Sequence, residues 1–175
     1  GCLVKLSMND PVNYHGDEPT HPSIKAWVCI FDANGRAHWK IGRLIWLLPS
    51  TVFPVLSQKW FKHPLFWLTS PGLLGTLKAI LDADLVVSAP GGYLYNSGSG
   101  ISMLLVMYPI LLALLAGKPV YLLPQSIGPI RHWWDRLCLR WLLERVRLVM
   151  VREPLSMQLV QNYKVRNPRF RLVPD

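Results

Sequence analysis

Cysteine is scarce in this chain. Of its 175 residues only three are cysteine. Cys2, Cys29 and Cys138 lie far apart, and no Cys-x-x-Cys pair occurs. That excludes a disulfide framework and a zinc knuckle, and it fits a reducing cytosol. The five histidines form no His-Glu-x-x-His or Cys/His cluster, so no metal site is expected. His15, His21, His38, His63 and His132 fall in loop-like segments or at a helix start and read as surface residues. Gly-x-Gly-x-x-Gly, a Walker Gly-Lys-Ser/Thr and Gly-x-Ser-x-Gly are all absent. The dinucleotide fingerprint, the P-loop and the hydrolase elbow are thereby excluded. Acidic residues are few, ten against nineteen lysines and arginines, leaving a net charge of +9. Long hydrophobic runs are missing too. The uncharged stretch 101–116 falls short of the ~20 residues a spanning helix needs, and Pro109 interrupts it, so it reads as a core helix.

The residues that are present describe a folded domain. At 51% hydrophobic and 17% charged, the chain is no disordered tail and can bury a core of its own. The positive balance points to acidic partners. Much of it lies between Arg131 and Arg171, mixed with Asp135, Glu144 and Glu153. Eight tryptophans interleave with basic residues, as in Trp60-Phe61-Lys62-His63 and Arg131-His132-Trp133-Trp134. Such interleaving suits membrane interfaces and single-stranded nucleic acid; amphipathic packing helices explain it more simply. The chain opens at Gly1 without a methionine and stops at Asp175, and the reading expects truncation at both ends.

Leu3 to Met8 reads as a strand ended by Asn9-Asp10-Pro11, residues 9–23 as loop, and Trp27 to Phe31 as a second strand. Residues 41–72 form an irregular insertion, with apolar clusters broken by Pro49, Pro54, Pro64 and Pro71. Short surface helices or a membrane-facing flap would fit it. From Gly75 the pattern sharpens. A short helix over Thr76–Leu81 precedes a buried strand at 84–89, a helix near 101–116 and a buried strand at 120–123. A helix near 131–145, a strand at 147–151 and a helix near 154–163 follow. Gly117-Lys118-Pro119 stops one helix and Pro154 starts another. This alternation predicts an α/β domain with a parallel sheet, right-handed crossovers and helices on both faces.

Three loops follow strands, where open α/β sheets bind ligands. In Ala89 to Gly100, Gly91 and Gly92 allow close backbone approach and the next helix N-terminus favours an anion, while Tyr93, Asn96 and the serines add polar groups. A tight turn explains the same residues. In Pro124 to Pro129, Gln125, Ser126 and Gly128 would face the same crevice, or cap the next helix. In Val151 to Ser156, Arg152 could clamp a carboxylate or phosphate, or pair with Glu153; Ser156 is a ligand contact or a first-turn polar residue.

These three loops, in this order, resemble the polysaccharide pyruvyl transferase family, specifically its colanic-acid-type branch. The resemblance rests on Asp84-Leu85-Val86-Val87-Ser88-Ala89-Pro90-Gly91-Gly92-Tyr93-Leu94-Tyr95 and on Leu112 through Tyr121. It rests further on Leu123-Pro124-Gln125-Ser126-Ile127-Gly128-Pro129-Ile130, on Val151-Arg152-Glu153-Pro154-Leu155-Ser156 and on the closing Pro174-Asp175. It covers residues 80–175 well and 1–80 loosely. The family's Asn-x-Gly-Asp loop is only superficially matched by Asn13-Tyr14-His15-Gly16-Asp17 and is expected upstream of Gly1. The resemblance implies one domain over 1–175, the Rossmann-like N-terminal half of a glycosyltransferase-B-like two-domain enzyme, with the C-terminal domain missing. It implies transfer of pyruvate from phosphoenolpyruvate, as donor substrate with no resident cofactor, to a polysaccharide or lipid-linked sugar. Gly91, Gly92, Tyr93, Asn96, Gln125, Ser126, Gly128, Arg152, Glu153 and Ser156 would bind substrate, and the acid and base would lie on the missing domain. The fragment alone is then expected to be inactive. It would be cytoplasmic, with peripheral contact at the inner face of the plasma membrane and no nucleic-acid partner. The competing readings are a membrane-surface or scaffold module without activity, and half of a nucleotide-sugar glycosyltransferase.

Overall fold

A computed structural model describes residues 6–8, 23–25, 37–69, 71–94, 100–166 and 169–173. They fall into two compact units, Gly1–Asp82 and Ala83–Asp175.

In the first unit, strands β1 (Leu6–Met8) and β2 (Ser23–Lys25) pair in parallel. The strand expected at Trp27–Phe31 lies outside the described residues. Helix α1 (Ala37–Phe61) runs unbroken through Pro49 and Pro54, where the sequence predicts an irregular insertion. Hydroxyl groups explain how. Pro54 has no N–H to donate to the carbonyl of Ser50, four residues back. That carbonyl instead accepts the Thr69 hydroxyl at 2.8 Å. Thr51 Oγ1 donates to the Leu47 carbonyl at 2.6 Å, and Ser57 Oγ donates to that of Pro54 at 2.9 Å. Helix α2 (Pro71–Asp82) packs against α1 and β2. Leu47, Val55, Leu73, Leu77, Ile80 and Leu81 form the buried core of this unit. No described helix is long and apolar enough to cross a membrane.

The second unit is a parallel sheet flanked by helices. Its strands are β3 (Val86–Ser88), β4 (Gly91–Leu94), β5 (Val120–Ile127), β6 (Leu148–Val151) and β7 (Phe170–Leu172). Helices α3 (Gly100–Leu115), α4 (Trp133–Arg145) and α5 (Pro154–Asn162) connect them. The order is β3-β5-β6-β7, with β4 also pairing β5, and every pairing is parallel. The α/β class and the parallel Rossmann-like sheet are those the sequence predicts. Helices α3 and α5 both pack on the sheet, and α3 packs directly on α4.

Strand β5 sits at the centre. The sequence predicts its end at Leu123, yet it continues to Ile127. Its partners step from Leu122↔Val149 to Gln125↔Val151, so β5 carries one extra residue at Leu123-Pro124. A bulge of this kind absorbs a proline, which has no N–H for the ladder. It also resets the side-chain alternation. Val120 and Leu122 before the bulge and Gln125 and Ile127 after it are all buried.

Gly117 follows α3 with φ +77, and a Cβ there would meet nothing within 4 Å. Gly117→Ala therefore costs only left-handed backbone strain, about 1–2 kcal/mol, and urea denaturation should read that loss. Cys138 on α4 is half-buried. Burial, and then the negative Asp135, push its thiol above the ordinary range. The thiolate is the nucleophile, so iodoacetamide should modify Cys138 more slowly at pH 8 than an unhindered cysteine. Its rate should go on rising at pH values where that of a free thiol has levelled off, as mass spectrometry of the Cys138 peptide would show.

Candidate functional site

The carboxyl ends of β4, β5 and β6 gather most of the expected site residues. Gly91 aligns with Gln125, Leu94 with Ile127, and Gln125 with Val151. Backbone bonds tie the ends together. The Gly128 N–H donates to the Leu94 carbonyl at 3.1 Å, and the Arg152 N–H to that of Gln125 at 3.1 Å. The three loops, up to 61 residues apart between Gly91 and Arg152 in sequence, thus line one edge of one sheet.

The side chains divide into two sets. Gln125 is fully buried, and its Nε2 donates to the Ala89 carbonyl at 2.6 Å. That bond spans a gap in the ladder. β3 stops at Ser88, β4 resumes at Gly91, and β5 bulges at the same level. Pro90 on one strand and Pro124 on the other can donate nothing there. The amide of Gln125 adds a side-chain link between the strands at that level.

Ser156, 1% exposed on α5, is likewise turned to the backbone. Its Oγ accepts the Ile127 N–H at 2.9 Å and lies 3.2 Å from the Ile127 carbonyl, to which it donates. One hydroxyl therefore satisfies both polar groups of the last residue of β5. Gln125 and Ser156 shape the loops from beneath.

The second set faces outward. Ser126 Oγ donates to Glu153 Oε1 at 2.9 Å, a bond exposed to solvent. Glu153 occupies the N-cap position of α5 and makes no side-chain cap bond; its carboxylate is held by the neighbouring loop instead. Arg152, half-buried, precedes it at the end of β6. Gly92 is exposed, and a Cβ there would sit 3.8 Å from that of Ser126, an ordinary contact. Tyr93 lies within β4, and Asn96 lies outside the described residues.

Sequence reasoning missed the posts that hold the Gln-Ser-Ile-Gly-Pro loop from below. The Ile130 N–H donates to the Tyr163 hydroxyl at 3.0 Å, and Arg136 Nε donates to the Ile130 carbonyl at 2.8 Å. The Arg136 guanidinium also lies over the Tyr163 ring, 5.7 Å from its centre. Nothing in a lone tyrosine 33 residues downstream announces such a contact. Among the described residues no group of three His, Cys, Asp or Glu is placed to hold a metal ion.

The strand ends of this parallel α/β domain bring together the glycines of β4, a serine–carboxylate pair and an arginine, at the edge where open α/β sheets bind ligands. The family model for polysaccharide pyruvyl transferase matches residues 10–175, and the chain belongs to that family. No curated protein and no solved structure matches it.

The buried amide gives a direct check on this architecture. Gln125→Leu keeps the volume but removes the donor to Ala89, and should cost about 1–3 kcal/mol, read as a lower urea midpoint. An unchanged midpoint would show that the gap between β3 and β4 does not need that bond.

Proposed function

We propose that the chain forms the N-terminal half of a two-domain transferase of the colanic-acid-type branch, moving pyruvate from phosphoenolpyruvate to a sugar of a cell-surface polysaccharide. The observation that carries this reading is the exposed Ser126–Glu153 bond beside Arg152, at the edge where β4, β5 and β6 end. Phosphoenolpyruvate presents a carboxylate and a phosphate. A guanidinium offers either a planar pair of donors, and the α5 N-terminus next to it adds a positive dipole end. The uncovered backbone of Gly92 leaves room for the donor to lie close.

The reaction sets clear requirements. A proton adds to the methylene carbon of the donor. A sugar hydroxyl attacks the central carbon and gives its proton to a base. The bond from that carbon to the phosphate oxygen breaks, and inorganic phosphate leaves. A second sugar hydroxyl attacks the same carbon and gives its proton to the departed phosphate or a base, closing the cyclic ketal. Cations and helix ends stabilise the departing phosphate, and an acid and a base move the protons. The residues of this chain supply binding; the acid and base come from the second domain. The acceptor is a lipid-linked or polymeric sugar at the cytoplasmic side of the plasma membrane.

Ligand-observed NMR on the 175-residue chain tests the donor site. Phosphoenolpyruvate should show saturation transfer, and Arg152→Ala should weaken binding about tenfold or more, the usual cost of a lost charged hydrogen bond. A nucleotide diphosphate sugar should show none. Transfer from the nucleotide sugar, with none from phosphoenolpyruvate, would replace this reading with that of a glycosyltransferase half.

A further inference from the structure

The solvent side of α4 is built the wrong way round for a helix whose only task is to cover a sheet. Its buried residues are Asp135, Leu139, Leu142 and Leu143. Opposite them, Trp133, Leu137 and Trp141 follow at four-residue spacing and so form one stripe. Trp133 is 69% exposed and Leu137 58%. Trp134 lies beside the stripe at 40%, stacked on His132 at 4.5 Å and edge-on to Trp133 at 5.9 Å.

Charge on this side has one sign. Arg131, Arg136 and Arg145 are exposed around the stripe. The remaining pair cancels: Arg140 Nε meets Glu144 Oε1 at 2.9 Å. Asp135, the other acid of the helix, is buried.

Arg145 links the stripe to a second feature. Its guanidinium lies 4.2 Å over the Trp141 ring, and it lines a cavity of about 480 Å³ with Lys118, Arg147 and Arg169. Glu144, already bound by Arg140, is the only acid in the lining. Lys118, Arg147 and Arg169 stand just before β5, β6 and β7, so the cavity opens at the amino ends of the strands, opposite the candidate crevice.

We propose that the exposed side of α4 and the adjoining basic cavity dock this domain on an anionic bilayer, with Trp133, Leu137 and Trp141 entering the interface and the cavity seating a phosphate headgroup. An interfacial helix needs an apolar stripe, tryptophans at headgroup depth and basic flanks, and each is present. A bilayer fits better than a second copy of the chain. Self-pairing about a two-fold axis would set the arginine flanks of one copy against those of the other. It fits better than single-stranded nucleic acid, since the most central residue of the stripe is aliphatic and offers no ring for bases to stack on. The surface takes in none of the residues proposed to bind the donor, so the inference stands or falls apart from the donor reading.

Flotation of the 175-residue chain with vesicles tests it. Binding is expected to phosphatidylcholine vesicles containing phosphatidylglycerol, not to pure phosphatidylcholine, and should weaken with salt. The exposed changes Trp133→Glu with Leu137→Glu, and separately Arg147→Glu with Arg169→Glu, should each reduce binding about tenfold or more while circular dichroism stays unchanged. Wild-type binding by both double variants overturns the proposal. So does a loss confined to Trp60→Ala with Trp67→Ala on the other unit. A concentration-dependent dimer in sedimentation that Leu137→Glu dissolves, without vesicle binding, overturns it in favour of self-association. Displacement of wild type from vesicles by millimolar inorganic phosphate, with the stripe variant bound normally, overturns it in favour of a soluble anion.

Discussion

The second unit depends on a side chain doing the work of a backbone. Pro90 and Pro124 fall at the same level of adjacent strands, where neither can donate to the ladder. The Gln125 amide reaches the Ala89 carbonyl at 2.6 Å and joins the strands across that level. It can do so because the bulge at Leu123-Pro124 turns Gln125 to the buried side. The bond is part-buried, and its loss would remove the side-chain link from Gln125 to Ala89. The glycines of β4, the serine of β5 and the loop after β6 take their places from the parallel register of β4, β5 and β6.

Below that level the sheet is an ordinary packed layer; above it the chain is shaped for contact. The ladder continues past the prolines to Leu94 and Ile127, with a shifted register between β4 and β5. Ser156 ties the last residue of β5 to the start of α5, so Arg152 and Glu153 are held between two fixed elements. Tyr163 and Arg136 brace the other side of the same loop. A site on loops gains precision from such supports. The opposite end of the sheet is built differently. There the strands start from basic residues, Lys118, Arg147 and Arg169, around an open cavity.

Both units show hydroxyls and amides substituting for donors that proline removes. In α1 the Thr69 hydroxyl takes the Ser50 carbonyl that Pro54 leaves without a partner. In β5 the substitute is Gln125. Pro54 and Pro124 are compatible with regular structure here because Thr69 and Gln125 stand near them.

The sequence by itself determined the α/β class, the alternation of strands and helices after Gly75 and the family; the segments at Gly91 and Gln125 that it reads as loops are strand β4 and the end of β5. Those signals are local: apolar runs, a glycine stop at Gly117, a proline start at Pro154, and short motifs in a fixed order. Tertiary structure alone decided the rest. Strand β5 passes through Pro124 because a neighbour tolerates the bulge, and α1 passes through Pro54 because Thr69, fifteen residues on, supplies a donor. Gln125 and Ser126 are adjacent in sequence, yet one is buried and one reaches Glu153. Alternation along a strand is a period of two, and one inserted residue reverses it; where that residue is inserted depends on the partner strand, which no local pattern encodes.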